Sequence, residues 1–319
     1  MDIAKVFAPE HGFRGIVDAG EHVDNEIDQK TGLPLISLYG KNKKPTMAQL
    51  EGVDLVLFDI QDVGVRFYTY IATLQLVMEA CIQKEIPIVV LDRPNPHMNY
   101  VDGPTMEEKH QSFLGMNSIP LVYGMSIGEY AKMINEEGWV VADNKAELHV
   151  IQVQDFNRTD KVSLAIKPSP NLPNDQAIAL YPSLGFFEGT TINAGRGTDS
   201  QFQRYGSPEF KEQSNFELRY TPVSKQGAKY PKHQNTLCYG EDLSQIETPA
   251  AVHLEWLIKA YKHSNPETFF LDNSFTKHAG TERLRIQIEQ GKTANEIRES
   301  WSDDIEAFNE IRLKYLIYN

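Results

Sequence analysis

Cysteine is scarce in this 319-residue chain, with only Cys81 and Cys238 present. That excludes a disulfide-framed scaffold and leaves room for at most one bridge. Positive charge is also in deficit: 31 Lys and Arg stand against 44 Asp and Glu, for a formal net charge of −13. A chain this acidic does not hold a polyanion through bulk charge, so no nucleic-acid partner is expected. A local basic pocket for one small anion is still compatible with that balance. Long apolar runs are missing too. None reaches the ~18 residues of a membrane-spanning helix, and Met1-Asp2-Ile3-Ala4-Lys5 lacks the basic and apolar regions of a secretory signal. No internal repeat or low-complexity tract appears. No Gly-x-Gly-x-x-Gly follows an early strand, no Walker loop is present, and His-Glu-x-x-His is absent. A dinucleotide enzyme, a P-loop NTPase and a zincin are therefore disfavoured.

What is there is a repeated theme, a short apolar run closed by a polar cluster. Residues 3–8 run into Pro9-Glu10-His11-Gly12, residues 35–38 into Tyr39-Gly40, residues 55–58 into Asp59-Ile60-Gln61-Asp62-Val63-Gly64, and residues 88–91 into Asp92-Arg93-Pro94-Asn95-Pro96. Apolar runs of four to six residues without alternation predict strands buried on both faces, as in a parallel sheet. Helical periodicity separates them. Ile71, Leu74, Val77, Met78 and Cys81 recur at 3/4 spacing across residues 69–84. Ser126 with Glu129 predicts a capping box opening a helix through about residue 137, and a strand follows at 149–153. This alternation predicts an α/β fold with a mostly parallel sheet and helices on both faces.

Residues 155–185 read as loop, with Pro168-Ser169-Pro170-Asn171-Leu172-Pro173 as the clearest breaker. A boundary near 178 divides the chain into domains of residues 1–178 and 179–319. The second reads as a smaller α+β unit. It opens on a Gly-rich stretch at 188–198, continues as an irregular polar region to about 248, and closes with helices at 249–262, 281–290 and 293–315. Thr293 and Glu296 form a second capping box.

In open parallel sheets, ligands bind beyond the carboxyl ends of the strands. Glu10, His11, Tyr39, Asp59, Gln61, Asp62, Asp92, Arg93 and Asn95 all follow apolar runs, so they are expected to converge on one edge. Glu10 with Asp62, or Glu10 with Glu188, offers a carboxylate pair for glycosidic cleavage. One member protonates the leaving oxygen while the other activates water or attacks the anomeric carbon. The plain alternative for Glu10 is a surface carboxylate. His11 with Asp62 and Asp92 is a weaker, metal-binding grouping that no ligand spacing supports, so no metal is expected. Arg93, Arg66 and Arg196 are candidates to clamp a carboxylate bidentately, against ion pairing with a neighbouring Asp, which for Arg93 is Asp92. Gly195-Arg196-Gly197-Thr198 reads as a tight loop bringing the backbone close to a ligand or a neighbouring domain. Tyr39, Phe67, Tyr68 and Tyr70 lie near the same edge. Such rings stack on sugar faces, although Phe67 and Tyr70 read as core.

Taken in order, several of these strings carry a resemblance. They include Ala8-Pro9-Glu10-His11-Gly12-Phe13-Arg14-Gly15, Phe58-Asp59-Ile60-Gln61-Asp62-Val63-Gly64, Arg66-Phe67-Tyr68-Thr69-Tyr70, Leu91-Asp92-Arg93-Pro94-Asn95-Pro96, Glu188-Gly189-Thr190 and Gly195-Arg196-Gly197-Thr198. Together they resemble the NamZ (YbbC-like) exo-β-N-acetylmuramidases from residue 4 to the C-terminus. The resemblance implies a Rossmann-like first domain, a smaller second domain, and a cleft between them that releases N-acetylmuramic acid from the non-reducing ends of peptidoglycan fragments. The substrate would be a muropeptide or a MurNAc-GlcNAc saccharide, with no cofactor, and a periplasmic or secreted home is favoured. Glu10, in the Pro-Glu-His-Gly motif, is implied as the principal catalytic carboxylate. His11, Asp62, Arg93, Asn95, Glu188 and Arg196 match motif positions and, with Arg66, are assigned to substrate binding on their chemistry. Arg93 or Arg196 is expected to meet the lactyl carboxylate that distinguishes muramic acid from glucosamine. The family pattern also carries about one more βα unit before Pro-Glu-His-Gly, so this sheet is expected to lack a central strand. Thr190-Thr191-Ile192-Asn193 replaces the family's more usual Thr-Asn-Leu/Val-Ser. The rival reading is a non-catalytic muropeptide binder that keeps the cleft and loses turnover.

Overall fold

The computed structural model of the chain describes residues 2–10, 12–13, 26–247 and 250–319. The apolar runs become short strands: β1 (Val6–Ala8), β2 (Glu26–Ile27), β3 (Pro34–Ser37), β4 (Val56–Phe58), β5 (Ile88–Leu91) and β6 (Leu148–Ile151). β1 pairs in parallel with β3, Phe7 opposite Ile36, and β2 adds antiparallel to β3. β4, β5 and β6 form a wholly parallel sheet, with Leu57 opposite Val89 and Val90 opposite Val150. Helices α1 (Tyr70–Lys84) and α2 (Ile127–Glu136) bury the stripes expected of them. Leu74, Met78, Cys81, Ile127, Ala131 and Ile134 meet Phe58, Ile88 and Val90 in one apolar cluster. The α/β class follows from these parallel pairings and the helices packed on them.

The first half is nevertheless two sheets, in the orders β1-β3-β2 and β4-β5-β6. Among the described residues, β1 and β4 are both unpaired edges, and both line a single cavity of about 1150 Å³ with Tyr70, Thr73, Val77 and Cys81 of α1. This explains a departure from the expectation of strands buried on both faces. Leu57 is 42 % exposed because β4 has no neighbour on that side.

The second half begins on α3 (Asp175–Leu184), capped by the Asn174 side chain accepting from the Ala177 amide at 2.9 Å. Residues 155–185 were expected to be loop-rich, and α3 corrects that for residues 175–184. Pro182 inside the helix argues against helix when only the sequence is read. Residue 178 lies within α3. An antiparallel sheet follows, built from β7 (Arg204–Ser207), β8 (Leu218–Tyr220) and β9 (Cys238–Asp242) in the order β7-β9-β8. The chain closes with α4 (Glu255–Lys262), α5 (Asp272–Ala279), α6 (Arg283–Glu289), α7 (Ala294–Glu299) and α8 (Ser302–Arg312). The helix expected from 249 begins only at Glu255, and residues 248–249 lie outside the described residues. The single helix expected across 293–315 is α7 and α8. Trp301 separates them and is drawn into the core at 4 % exposure.

The two halves share their interior. Val63, Phe67 and Tyr68 join Phe186, Phe187 and Phe275 in one cluster, while Phe308 of α8 belongs to the cluster under α1 and α2. The end of α8 and the chain after it are fastened to the first half. Arg312 donates to the Gly124 carbonyl from Nε at 2.9 Å and Nη2 at 2.6 Å, and Tyr318 donates to Asp92 at 2.8 Å. Among the described residues no helix is long and apolar enough to cross a membrane.

Candidate active site

Glu10 follows β1, and hydroxyl groups from two other segments reach its carboxylate. Tyr39, just after β3, donates to Oε1 at 3.2 Å, and Thr69, the residue before α1, donates to Oε2 at 3.4 Å. Tyr70 donates to the Glu10 main-chain oxygen at 3.1 Å. The carboxylate is thus held at the carboxyl ends of parallel strands and is half-buried.

Asp62, after β4, is fully buried. Its Oδ2 accepts from the Gly64 amide at 2.6 Å and from the Tyr123 hydroxyl, while Oδ1 has no partner among the described residues. Burial pushes its carboxyl up to about 6, against the hydrogen bonds from Tyr123 and the Gly64 and Val63 amides. The turn is possible because Gly64 has φ +75°, and any Cβ there would collide with the Asn95 side chain. Asn95 is fully buried as well. It donates to the Met125 carbonyl at 2.8 Å and accepts from the His97 amide at 3.0 Å. His97 Nδ1 lies 2.5 Å from the Val63 carbonyl and so donates to it, and burial lowers the ring to about 4, which keeps it neutral.

The second half supplies the other carboxylate. A 3₁₀ turn at Gly185–Gly189 carries Glu188, whose Oε2 accepts from Arg196 Nη1 at 2.7 Å. Arg196 Nη2 donates to the Gly227 carbonyl at 3.0 Å. Burial alone would raise the Glu188 carboxyl, but the charges of Arg196, Lys232 and His278 outweigh it and hold the group below the usual carboxylate range. The loop behind Arg196 is tight because Gly197 has φ +82°, and a Cβ there would come within 2.7 Å of Val223 O and of Pro231. Tyr181 of α3 feels the charge of both carboxylates. Its hydroxyl is held far above the ordinary tyrosine range by burial and then by the negative charges of Glu188 and Glu10. Glu10, Asp62, Glu188 and Arg196 therefore occupy one neighbourhood.

Other expected residues are placed differently. The Arg66 guanidinium is fully buried and donates to four main-chain carbonyls: Pro104 at 2.8 Å, Ile119 at 2.9 Å, His278 at 3.1 Å and Ala279 at 2.8 Å. That set makes it a tie between the halves. Arg93 is 45 % exposed and pairs with Asp59 through Nε at 2.7 Å and Nη2 at 2.6 Å, while Nη1 has no partner among the described residues. The ion pair comes from Asp59 rather than from Asp92. Asp92 accepts from the amides of Arg93 and Gly128 and the hydroxyls of Ser126 and Tyr318, which commits it to the start of α2. Phe67, Tyr68 and Tyr70 are buried, whereas Tyr39 is half-buried. His11 lies outside the described residues, and among those described no three His, Cys, Asp or Glu side chains converge as a metal site.

Sequence reading passed over Tyr181, Lys232 and His278. None follows a parallel strand or sits in a recognisable motif, so no local signal marked them. Ser126 also escaped notice as the centre of a Gly-x-Ser-x-Gly string at 124–128, the spacing of a nucleophile elbow. The structure gives it another task. Its buried hydroxyl donates to Asp92 at 2.7 Å and accepts from the Glu129 amide at 3.2 Å.

Comparison with known proteins adds the last observations. Residues 1–176 match the family model for the N-terminal part of the exo-β-N-acetylmuramidase NamZ, and residues 179–318 match that for its C-terminal part. The peptidoglycan β-N-acetylmuramidase NamZ of Bacillus subtilis is 41 % identical over 341 aligned residues, covering all of this chain and 80 % of that protein. A crystal structure of a DUF1343-family protein from Bacteroides fragilis superposes with a TM-score of 0.91 at 41 % identity, over 100 % of this chain and 87 % of that one. A second protein of that family and organism gives 0.83 at 26 % identity, over 99 % and 86 %.

Proposed function

The chain belongs to the exo-β-N-acetylmuramidase NamZ family, and on that membership we propose that it is a glycosidase releasing N-acetylmuramic acid from the non-reducing ends of peptidoglycan fragments, with Glu10 as the principal catalytic carboxylate. The observation that carries the assignment of Glu10 is its setting. It is half-buried at a strand end, held by the Tyr39 and Thr69 hydroxyls, with the charge of the Glu188–Arg196 pair beside it. Glycosidic cleavage needs two carboxylates flanking the anomeric centre. Glu188 is the second, kept ionised by Arg196, and Glu10 works at the scissile bond as acid or nucleophile.

The lactyl carboxylate of muramic acid calls for a cation. Arg196 is occupied by Glu188, so Arg93, half-exposed and with Nη1 free of partners among the described residues, is the better placed of the two candidates. The two-domain division near residue 178 is part of the same reading, with the second domain closing the end of the pocket that an exo-acting enzyme requires.

The test is turnover of a chromogenic muramide. Glu10→Gln is expected to lower kcat/KM by about 10²–10⁴-fold with an unchanged circular-dichroism spectrum. Full activity in that variant removes Glu10 from the chemistry. Arg93→Ala is expected to raise KM for the muramide while leaving KM for the matching glucosaminide unchanged. Equal effects on both substrates would exclude lactyl recognition by Arg93. The non-catalytic alternative predicts saturable muropeptide binding without product.

A further inference from the structure

Lys232 stands on a turn at residues 231–235, between β8 and β9, and reaches back to the segment that carries Glu188. Its ammonium lies among four main-chain carbonyl oxygens: Phe187 at 2.6 Å, Thr190 at 2.6 Å, Glu188 at 3.1 Å and Ile192 at 3.4 Å. An ammonium has three protons to donate, so three oxygens are served directly and the fourth completes the ring. All four belong to the one short stretch, residues 187–192.

The turn is fastened to that stretch at two more points. His233 Nε2 lies 2.8 Å from the Thr191 carbonyl and therefore carries the proton, and Asn193 Nδ2 donates to the Lys232 carbonyl at 3.0 Å. His233 and Asn235 have φ of 57° and 60°, in the left-handed region that His and Asn enter more readily than most residues, and they close the turn. The charged and titratable groups facing Lys232 are Glu188 and Arg196 from the site, His233 on its own turn, and His278 from α5. Burial pushes the ammonium down to about 8, with Glu188 working against the shift and Arg196 adding to it.

We propose that Lys232 is a positioning residue for the hydrolysis: its ammonium, closed in the carbonyl ring of residues 187–192, sets the 3₁₀ turn that presents Glu188 to Arg196 and Glu10. It touches no reacting atom. It acts through Glu188, so the inference rests on the reading of Glu188 as the second carboxylate. A ring of carbonyls shaped for an –NH₃⁺ group also admits a small free amine once the side chain is removed. Rescue by such an amine reports on the ring, and the double variant with Glu188→Gln supplies the readout that a purely structural lysine does not share.

The experiment compares Lys232→Met, Lys232→Ala, Glu188→Gln and the Glu188→Gln/Lys232→Met double variant on the chromogenic muramide, with thermal melts alongside. Lys232→Met is expected to lower kcat by about 10- to 100-fold, the cost of a misplaced group, with KM within about threefold. The double variant is expected to be no slower than Glu188→Gln alone. Methylammonium is expected to restore kcat of Lys232→Ala saturably, whereas tetramethylammonium, which cannot donate, is expected to leave it unchanged. A folded Lys232→Met with a lowered melting temperature and normal kcat overturns the proposal, as does an additive loss in the double variant. Normal turnover by Glu188→Gln removes the carboxylate reading and the positioning role with it, and that result is distinguishable from a failure at Lys232 alone. If Lys232→Met does not fold, Lys232→Ala refolded in methylammonium and then diluted gives the decision. Turnover that tracks the amine supports the role, and turnover independent of it overturns the role.

Discussion

Burial controls what the individual acidic side chains do. Asp62 has its carboxyl raised from 3.8 to about 6 by burial, although the Tyr123 hydroxyl and two amides stabilise its charge. A carboxyl whose folded affinity for the proton exceeds its unfolded one contributes stability below the unfolded value, and that stability is lost as pH rises through the folded value. The native state is therefore expected to lose on the order of 1 kcal/mol from Asp62 between pH 5 and pH 8. Asp62→Asn, which does not titrate, should lack this component. Urea unfolding of both proteins at the two pH values measures it, and parallel pH profiles would show that Asp62 does not ionise in this range. Glu188 is the counter-example. It is half-buried, and Arg196, Lys232 and His278 turn the balance toward the charged form against its desolvation. Both residues are an acid in a polar string when only the chain is read, and their different proton affinities come entirely from neighbours remote in sequence.

Elements with the same local signature also differ in consequence. Ser126 with Glu129 and Thr293 with Glu296 are both capping boxes, and both form as their spacing predicts. The first is buried in a network. Glu129 accepts from the Ser126 amide, from Arg158 Nη2 at 2.5 Å and from the Ile317 amide at 2.7 Å, while Ser126 also donates to Asp92. The second box is exposed at the start of α7 and bonds only to itself. Ser126→Ala is expected to cost about 2 kcal/mol, the upper end for a cap, because Asp92 loses a donor as well. Thr293→Ala should cost clearly less. Chemical denaturation of the two variants checks this, and equal losses would mean that the network around Asp92 adds nothing. The same limit explains the two helices that the sequence did not reveal as such. α3 contains Pro182, and α5 is short and polar, with only Phe275 and Ala279 buried, yet each is stabilised by the aromatic cluster it enters.

At the scale of the molecule, the halves are joined by Arg66 and by residues beyond α8. Arg66 satisfies two carbonyls of the first half and two at the end of α5, in a site where burial lowers its guanidinium to about 9. Arg66→Met removes the donors and strands four carbonyls, so a loss of about 3–5 kcal/mol in unfolding free energy is expected. Because the end of α5 also places His278, reduced turnover should accompany it. Calorimetry and the muramide assay test the two parts, and a variant with wild-type stability would show that the contact is not a joint. Much of this protein was legible in the chain: the parallel strands, α1, both capping boxes, and an acidic group delivered to the carboxyl end of β1. Those features depend on periodicity and spacing within about a dozen residues, which short-range sterics and hydrogen bonding decide. Only the tertiary structure separated Glu10, half-buried and held by two hydroxyls, from Asp92, Asn95 and Arg66, polar residues of similar strand-end strings that are committed to backbone groups and helix starts. It alone set Arg196 within the field of Glu10 and closed Lys232 on the turn that carries Glu188, because partners distant along the chain are chosen by the packing of the whole core rather than by any local pattern.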